Sequence, residues 1–178
     1  MARKPIIYKQ QISVSDLERN FYNTLHLTLA LHPSETTQRL MARVLAYVIN
    51  AQDRLVFTKG LNEIDQPDIW IREMDEQISL WIDVGEPSVE RIKKATRQAE
   101  QVKVYSFNSK SDIWWQQNQQ DFVMLQASVF RFNVKDINSL ADLLTRTMDY
   151  SVTITNDSAY IATEQGECEV TWQPLQLK

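Results

Sequence analysis

Cysteine is nearly absent from this 178-residue chain, where Cys168 stands alone. One thiol cannot build an internal disulfide framework, and it fits a reducing compartment. Cys168 alternates with Val170 and reads as a packed residue rather than a nucleophile. Glycine is scarce as well, with three in the chain. Three scattered glycines cannot form the GxxxxGK[ST] or GxGxxG phosphate cradles, and no GxSxG elbow occurs. The two histidines, His26 and His32, leave no room for HExxH chemistry or a histidine-rich zinc site. No apolar run approaches the roughly 20 residues a membrane helix needs. The opening MARKPIIYKQQ lacks the apolar segment of a signal peptide. A cytoplasmic protein with no membrane association is therefore the expectation. An excess of positive charge is also missing. Lysine and arginine total 19 against 23 acidic residues, a formal charge of −4, which argues against broad coating of duplex nucleic acid.

What the chain does contain is a soluble composition, 43% apolar and 24% charged, in the range of a globular fold. No repeat, low-complexity tract or linker divides residues 1–178, so one domain is expected. The hydrophobic patterning predicts a mixed α/β (α+β) architecture. Residues 6–14 predict a strand, and residues 21–31 alternate apolar and polar in their second half; together they predict an N-terminal β-hairpin across a polar loop at 15–20. Ser34 is placed to cap a first helix running to about Asn50, with an apolar stripe of Leu40, Met41, Val44, Leu45 and Val48. In that reading Glu35 sits in the first turn, where a carboxylate favours the helix dipole. Arg39 and Arg43, one turn apart, are expected to be solvated or paired with acids.

A short strand at 55–58 leads through an acidic loop into a hairpin of residues 69–74 and 78–84 about a turn at 75–77. Ile78, Leu80, Ile82 and Val84 define its buried face, and Asp83 projects from the other. Antiparallel pairing would bring Asp68, at the start of the first strand, close to Asp83, at the end of the second. Gly85 follows directly, a position that predicts positive φ or close backbone approach. Ser88 can then cap a second helix with Glu90 in its first turn. On that helix Lys93 lies at the margin of the apolar stripe and Lys94 points further out.

Residues 102–107 predict another strand. Trp114 and Trp115, followed by a run of amides, predict a short amphipathic helix packed on the core, although such a pair could also stack on bases. Beyond them come a β-rich stretch at 122–134, a helix at 135–148 and a C-terminal β-meander over 150–155, 159–163 and 167–172, with the tail frayed.

Residues 61–100 carry ten acidic and five basic side chains, a balance that suits a cation site better than a bare phosphate site. Carboxylates are the preferred ligands of Mg²⁺, and a lysine can stabilise charge developing on a phosphate. The plainer reading is that acids at hairpin ends and helix starts serve turns and caps, and that adjacent lysines form a solvated helix face.

The motifs HPSET at 32–36, LWIDVGEP at 80–87, RIKKA at 91–95 and IWWQQNQ at 113–119 closely resemble those of the bacterial YaeQ family, in the same order and along nearly the whole chain. That resemblance implies a fold similar to the PD-(D/E)xK, restriction-endonuclease-like superfamily, whose core is helix, three-strand meander, helix, strand. In this chain the core would span about 34–108. It implies a Mg²⁺- or Mn²⁺-dependent phosphodiester hydrolase and nucleic acid as partner. Glu35, Asp68 and Asp83 would be the metal-binding acids, with Asp68 and Asp83 acting in catalysis. The chain departs from the pattern at Gly85, which stands where a lysine two residues after Asp83 is expected. Lys93 or Lys94 on the following helix could replace it. The departure leaves an alternative: a non-catalytic protein that contacts nucleic acid or transcription machinery on a nuclease-like scaffold.

Overall fold

The computed structural model describes residues 3–59 and 63–178. Among them the elements are β1 (Ile6–Asp16), β2 (Phe21–Leu31), α1 (Thr37–Ile49), β3 (Val56–Phe57), β4 (Ile69–Arg72), β5 (Ile78–Val84) and α2 (Val89–Gln98). They are followed by β6 (Ala99–Ser106), α3 (Ser111–Phe122), β7 (Ser128–Phe132), α4 (Val134–Asp142), β8 (Thr147–Thr155), β9 (Ser158–Thr163) and β10 (Gly166–Gln176). The mixed α/β arrangement expected from the patterning is present. All ten strands join one mixed sheet in the order β2-β1-β8-β9-β10-β7-β6-β5-β4-β3. Pairing is parallel where β1 meets β8, β5 meets β6 and β6 meets β7, and antiparallel elsewhere.

The sheet buries two cores. On one face α1 and α4 cover inward residues of the strands, and Leu40, Met41, Leu45 and Ile137 pack with Ile12, Ile82, Val152 and Ile161. On the opposite face α2 and α3 cover β5, β6 and β7, where Ile92, Ala95 and Phe122 meet Trp81, Val102, Val104 and Val129. Strands covered on both sides bury residues of either parity. This explains why Trp81 and Asp83, on the less apolar face of β5, are each only 3% accessible. Ile78, beside a register shift between β4 and β5, joins Trp81 rather than Leu80 and Ile82. Trp114 and Trp115 pack around Phe122, and the Trp114 indole donates to the Pro87 carbonyl at 2.9 Å. The packing reading of this pair holds.

Several boundaries differ from expectation. Thr36, not Ser34, caps α1, its hydroxyl accepting from the Arg39 N–H at 3.1 Å. Glu35 therefore precedes the helix, in a turn where its own N–H donates to the His32 carbonyl at 2.9 Å. β1 continues to Asp16 because Ser15 and Asp16 remain paired with both β2 and β8. The stretch 122–134 is split: Phe122 closes α3, and only Ser128–Phe132 form a strand. The fourth helix ends at Asp142 and β8 begins at Thr147. The tail is ordered rather than frayed, since residues 172–176 pair with β7 and the Gln176 amide donates to the carbonyls of Phe122, Leu125 and Ala127.

Candidate active site

The site forms where β4 begins and β5 ends. Ile69 pairs with Ile82, and the Asp68 N–H donates to the Ile82 carbonyl at 3.1 Å. Asp68 Oδ2 accepts from the Val84 N–H at 2.7 Å, so the side chain itself extends the ladder. Asp68 and Asp83 thereby reach the same cleft, as antiparallel pairing requires. Both are buried, at 8% and 3% accessibility.

At Gly85 the chain leaves the sheet with φ near +134°, while its N–H donates to the Tyr105 carbonyl at 2.8 Å. A Cβ there would meet nothing within 4 Å, so the backbone angle, not lack of space, favours glycine. The turn delivers Glu86 to the cleft and Ser88 to the start of α2, where its hydroxyl accepts from the Arg91 N–H at 3.2 Å.

The cleft has a volume of about 480 Å³, and Arg39, Asp68, Asp83, Glu86, Arg91 and Asn108 are among its lining. Arg91 holds Asp83 through two bonds, Nε to Oδ2 at 2.6 Å and a terminal nitrogen to Oδ1 at 3.1 Å. The same guanidinium donates to the carbonyls of Ile64 and Gln66, tying the approach loop to the cleft. Arg39 bridges two acids, donating to Asp68 Oδ1 at 2.5 Å and to Glu35 Oε1 at 3.0 Å. Arg43 binds both oxygens of Glu35, at 2.7 and 3.0 Å. Arg39 and Arg43 are thus paired with acids, as one of the two expectations had it.

Burial pushes the Asp83 carboxyl above its ordinary pKa, outweighing the Arg91 hydrogen bond and charge that draw it down, and the neighbouring Asp68 charge adds to the rise. Trp81 Nε1 helps to hold the charged carboxylate but makes no hydrogen bond of normal geometry. For Arg91, burial opposes the charged form, yet the Asp83 hydrogen bond and charge prevail and the net pKa is raised. Burial also raises Glu86, against the N–H groups of Phe107 and Asn108 and the Ser106 hydroxyl. Glu86 Oε2 is buried without a hydrogen-bond partner.

The predicted residues are therefore only partly brought together. Asp68 and Asp83 share the cleft. Glu35 reaches it only through Arg39, its side chain 2% accessible and locked between two guanidiniums. Lys93 and Lys94 are exposed on α2 and do not line the cleft. The cation that α2 does supply is Arg91, in its first turn, where a side chain can reach back to the preceding strand end. Spacing from Gly85 could have pointed to it. Glu86 had no sequence signal beyond its place after that glycine. Among the described residues, no three His, Cys, Asp or Glu side chains form a group able to hold a metal ion. A larger hollow of about 550 Å³ lies between β1, β2 and β8, with Lys9, His26 and Asp149 in its wall. Its two acids, Asp149 and Glu164, have no arginine beside them in the lining, and the chemistry favours the smaller cleft.

A sequence model of the family described as YaeQ protein matches residues 1–172. The chain belongs to the YaeQ family. Its similarity to the YaeQ protein of Escherichia coli (strain K12) is 40% identity over 178 residues, covering 97% of this chain and 98% of the relative. The YaeQ protein of Salmonella typhi is 39% identical over the same shares. Among solved structures, the YaeQ protein from Xanthomonas axonopodis pv. citri superposes with a TM-score of 0.94 at 30% identity, over 98% of this chain and 99% of that one. The YaeQ protein from Pseudomonas syringae gives 0.92 at 27% identity, over 98% and 97%. YaeQ membership thus extends over the strands, helices and turns that build the cleft. Among the described residues no helix is long and apolar enough to cross a membrane.

Proposed function

We propose that this YaeQ-family chain hydrolyses phosphodiester bonds of nucleic acid at the Asp68–Asp83 cleft, as a Mg²⁺- or Mn²⁺-dependent enzyme of the PD-(D/E)xK, restriction-endonuclease-like type. The observation that carries the reading is the convergence of Asp68 and Asp83 from adjacent strands in a cleft that also holds Arg39 and Arg91. The order α1, β3-β4-β5, α2, β6 agrees with the core that this superfamily implies. Mg²⁺ is commonly held by one or two carboxylates plus substrate phosphate rather than by a complete protein cage. Asp68 and Asp83 fit that role, and the unpartnered Oε2 of Glu86 in the same cleft is an oxygen that a cation would satisfy. Glu35 does not fit as a direct ligand, because it stands outside the cleft lining and is held there by two guanidiniums, whereas a cation at Asp83 need displace only Arg91.

When bound, the metal supplies Lewis-acid polarisation and a lowered pKa for coordinated water. The chain's own residues do the positioning. Arg39 and Arg91 offer planar donor forks suited to phosphate oxygens and occupy the functional place that the pattern gives to a lysine.

The alternative is a non-catalytic interaction protein on the same scaffold. It is favoured by the pairing of Glu35, Asp68 and Asp83 with guanidiniums and by the outward position of Lys93 and Lys94. Purified wild type and Asp83→Ala, incubated with Mg²⁺ or Mn²⁺ and with single- and double-stranded DNA and RNA, separate the two. Metal-dependent cleavage lost in Asp83→Ala supports the enzyme. Cleavage that survives the substitution removes Asp83 from the mechanism, and absence of cleavage with every substrate favours the alternative.

A further inference from the structure

A second hollow of about 550 Å³ adjoins the cleft, and its charge is opposite. It runs along the end of β2 and the loop after it to residues 57–59, and Arg3, His32, Arg39, Arg43 and Lys59 stand in its wall. The lining holds one carboxylate, Glu35, which Arg39 and Arg43 share. Arg3 and Lys59 are exposed. Arg39 belongs to both hollows: one of its terminal nitrogens meets Glu35 on the basic side, the other meets Asp68 on the acidic side. A polyanion lying in the groove would therefore be led directly to the aspartate pair.

From this juxtaposition we infer that the Arg3–Lys59 groove is the path of a single nucleic-acid strand entering the Asp68–Asp83 cleft, with Arg3 and Lys59 contacting its phosphates. The inference rests on the phosphodiesterase reading and names its substrate form. Three features select one strand over a duplex. The two hollows have the dimensions of ligand pockets, not of an open face. The chain carries a net charge of −4, whereas duplex binding draws on a wide basic surface. Asp68 and Asp83 are recessed, at 8% and 3% accessibility, and a flexible single strand can bend into such a cleft where a stiff duplex is costly to deform. The groove's contacts are to backbone rather than base. Phe57, a ring in its wall, is already stacked on Tyr47 at 4.7 Å between centroids and lies beside the Arg43 guanidinium. Binding is thus indifferent to sequence.

The test measures binding without metal, by fluorescence anisotropy of labelled 12-nucleotide DNA and RNA strands and of the matching duplexes, in EDTA over a series of salt concentrations. Wild type should bind single strands at least tenfold more tightly than duplex. Arg3→Ala/Lys59→Ala should weaken that binding several-fold and flatten the plot of log K against log salt by about 1.4, the loss of two phosphate contacts on a single strand. Charge reversal in Arg3→Glu/Lys59→Glu should deepen the loss, while Lys135→Ala, on the exposed side of α4, should change nothing. Both groove positions are exposed, so an unchanged melting temperature verifies folding. Undetectable binding at low salt, an unchanged slope in the double variant, or equal affinity for duplex overturns the inference. Binding through the groove without cleavage would sink the hydrolase reading alone. Cleavage with a groove variant that binds like wild type would sink the groove alone.

Discussion

Replacing Arg91 by alanine removes the two-bond partner of Asp83 in the cleft. The pair buries an Asp83 side chain that is 4% accessible beneath an Arg91 that is 29% accessible. Removing one partner of a buried ion pair costs about 3–5 kcal/mol, because the remaining charge is left without compensation. Arg91 reaches solvent and Asp83 can take up a proton, so the lower end, about 3 kcal/mol, applies here. For a chain of this length each kcal/mol moves Tm by roughly 2–4 °C, which gives a fall of about 6–12 °C near neutral pH. The loss should depend on pH with a definite sign. Burial already raises the Asp83 pKa in the presence of Arg91, and loss of the guanidinium raises it further. A carboxyl whose folded pKa exceeds its unfolded one contributes stability below the unfolded pKa and loses it as pH climbs through the folded pKa. The Tm gap between variant and wild type should therefore narrow steadily from pH 8 towards pH 4.5. Thermal unfolding followed by circular dichroism across that range measures it. A second arm adds 10 mM Mg²⁺, which should raise the Tm of Arg91→Ala more than that of wild type, since Asp83 is then open to a cation. A variant within 2 °C of wild type at pH 7.5, or a gap of constant size at every pH, would refute the reasoning.

Glu86→Gln should stabilise the fold at pH 7.5, with the gain fading towards pH 4.5. The charged form of Glu86 is the one that burial penalises, and its pKa is raised from an ordinary 4.5; the same melting series checks this. Gln176→Ala should cost about 1–3 kcal/mol in urea unfolding, because the carbonyls of Phe122, Leu125 and Ala127 lose a shared donor. A cost below 0.5 kcal/mol, within the scatter of surface substitutions, would mean that water replaces the amide.

Local chemistry made much of this architecture legible. Alternation marked β2 and β5, and the Leu40–Val48 stripe marked α1, because one-sided burial imprints a period on the sequence. The pairing that brings Asp68 to Asp83 was legible for the same reason: antiparallel neighbours joined by a short turn admit few registers. The errors arose where a tertiary partner decided the outcome. Residues 173–176 read as a loose end because their ladder partner, β7, lies about forty residues earlier. Asp83 read as outward-facing because the second layer, α2 and α3, leaves no trace in the alternation of β5. The presence of Arg91, rather than Lys93 or Lys94, in the cleft lining was hidden because a guanidinium has a longer reach than helical spacing alone conveys. Thr36 displaced Ser34 as the cap of α1 because the two are equally suited by type, and only the turn through His32 and Glu35 distinguishes them.

The parallel pairing of β1 with β8 has a consequence for biosynthesis. Lys9 faces Thr147 and Asp16 faces Ile154, so during synthesis β1 gains its second neighbour, β8, only when the long stretch of chain between them has been made. Until then the N-terminal hairpin presents one unpaired edge and an uncovered row of Ile12, Val14, Leu27 and Leu29, and such edges invite pairing with other chains. Contacts of this sequence separation also slow the search for the native state. The nascent protein therefore passes through a window in which its beginning is made and its partner is not, and in that window capture by a chaperone competes with aggregation.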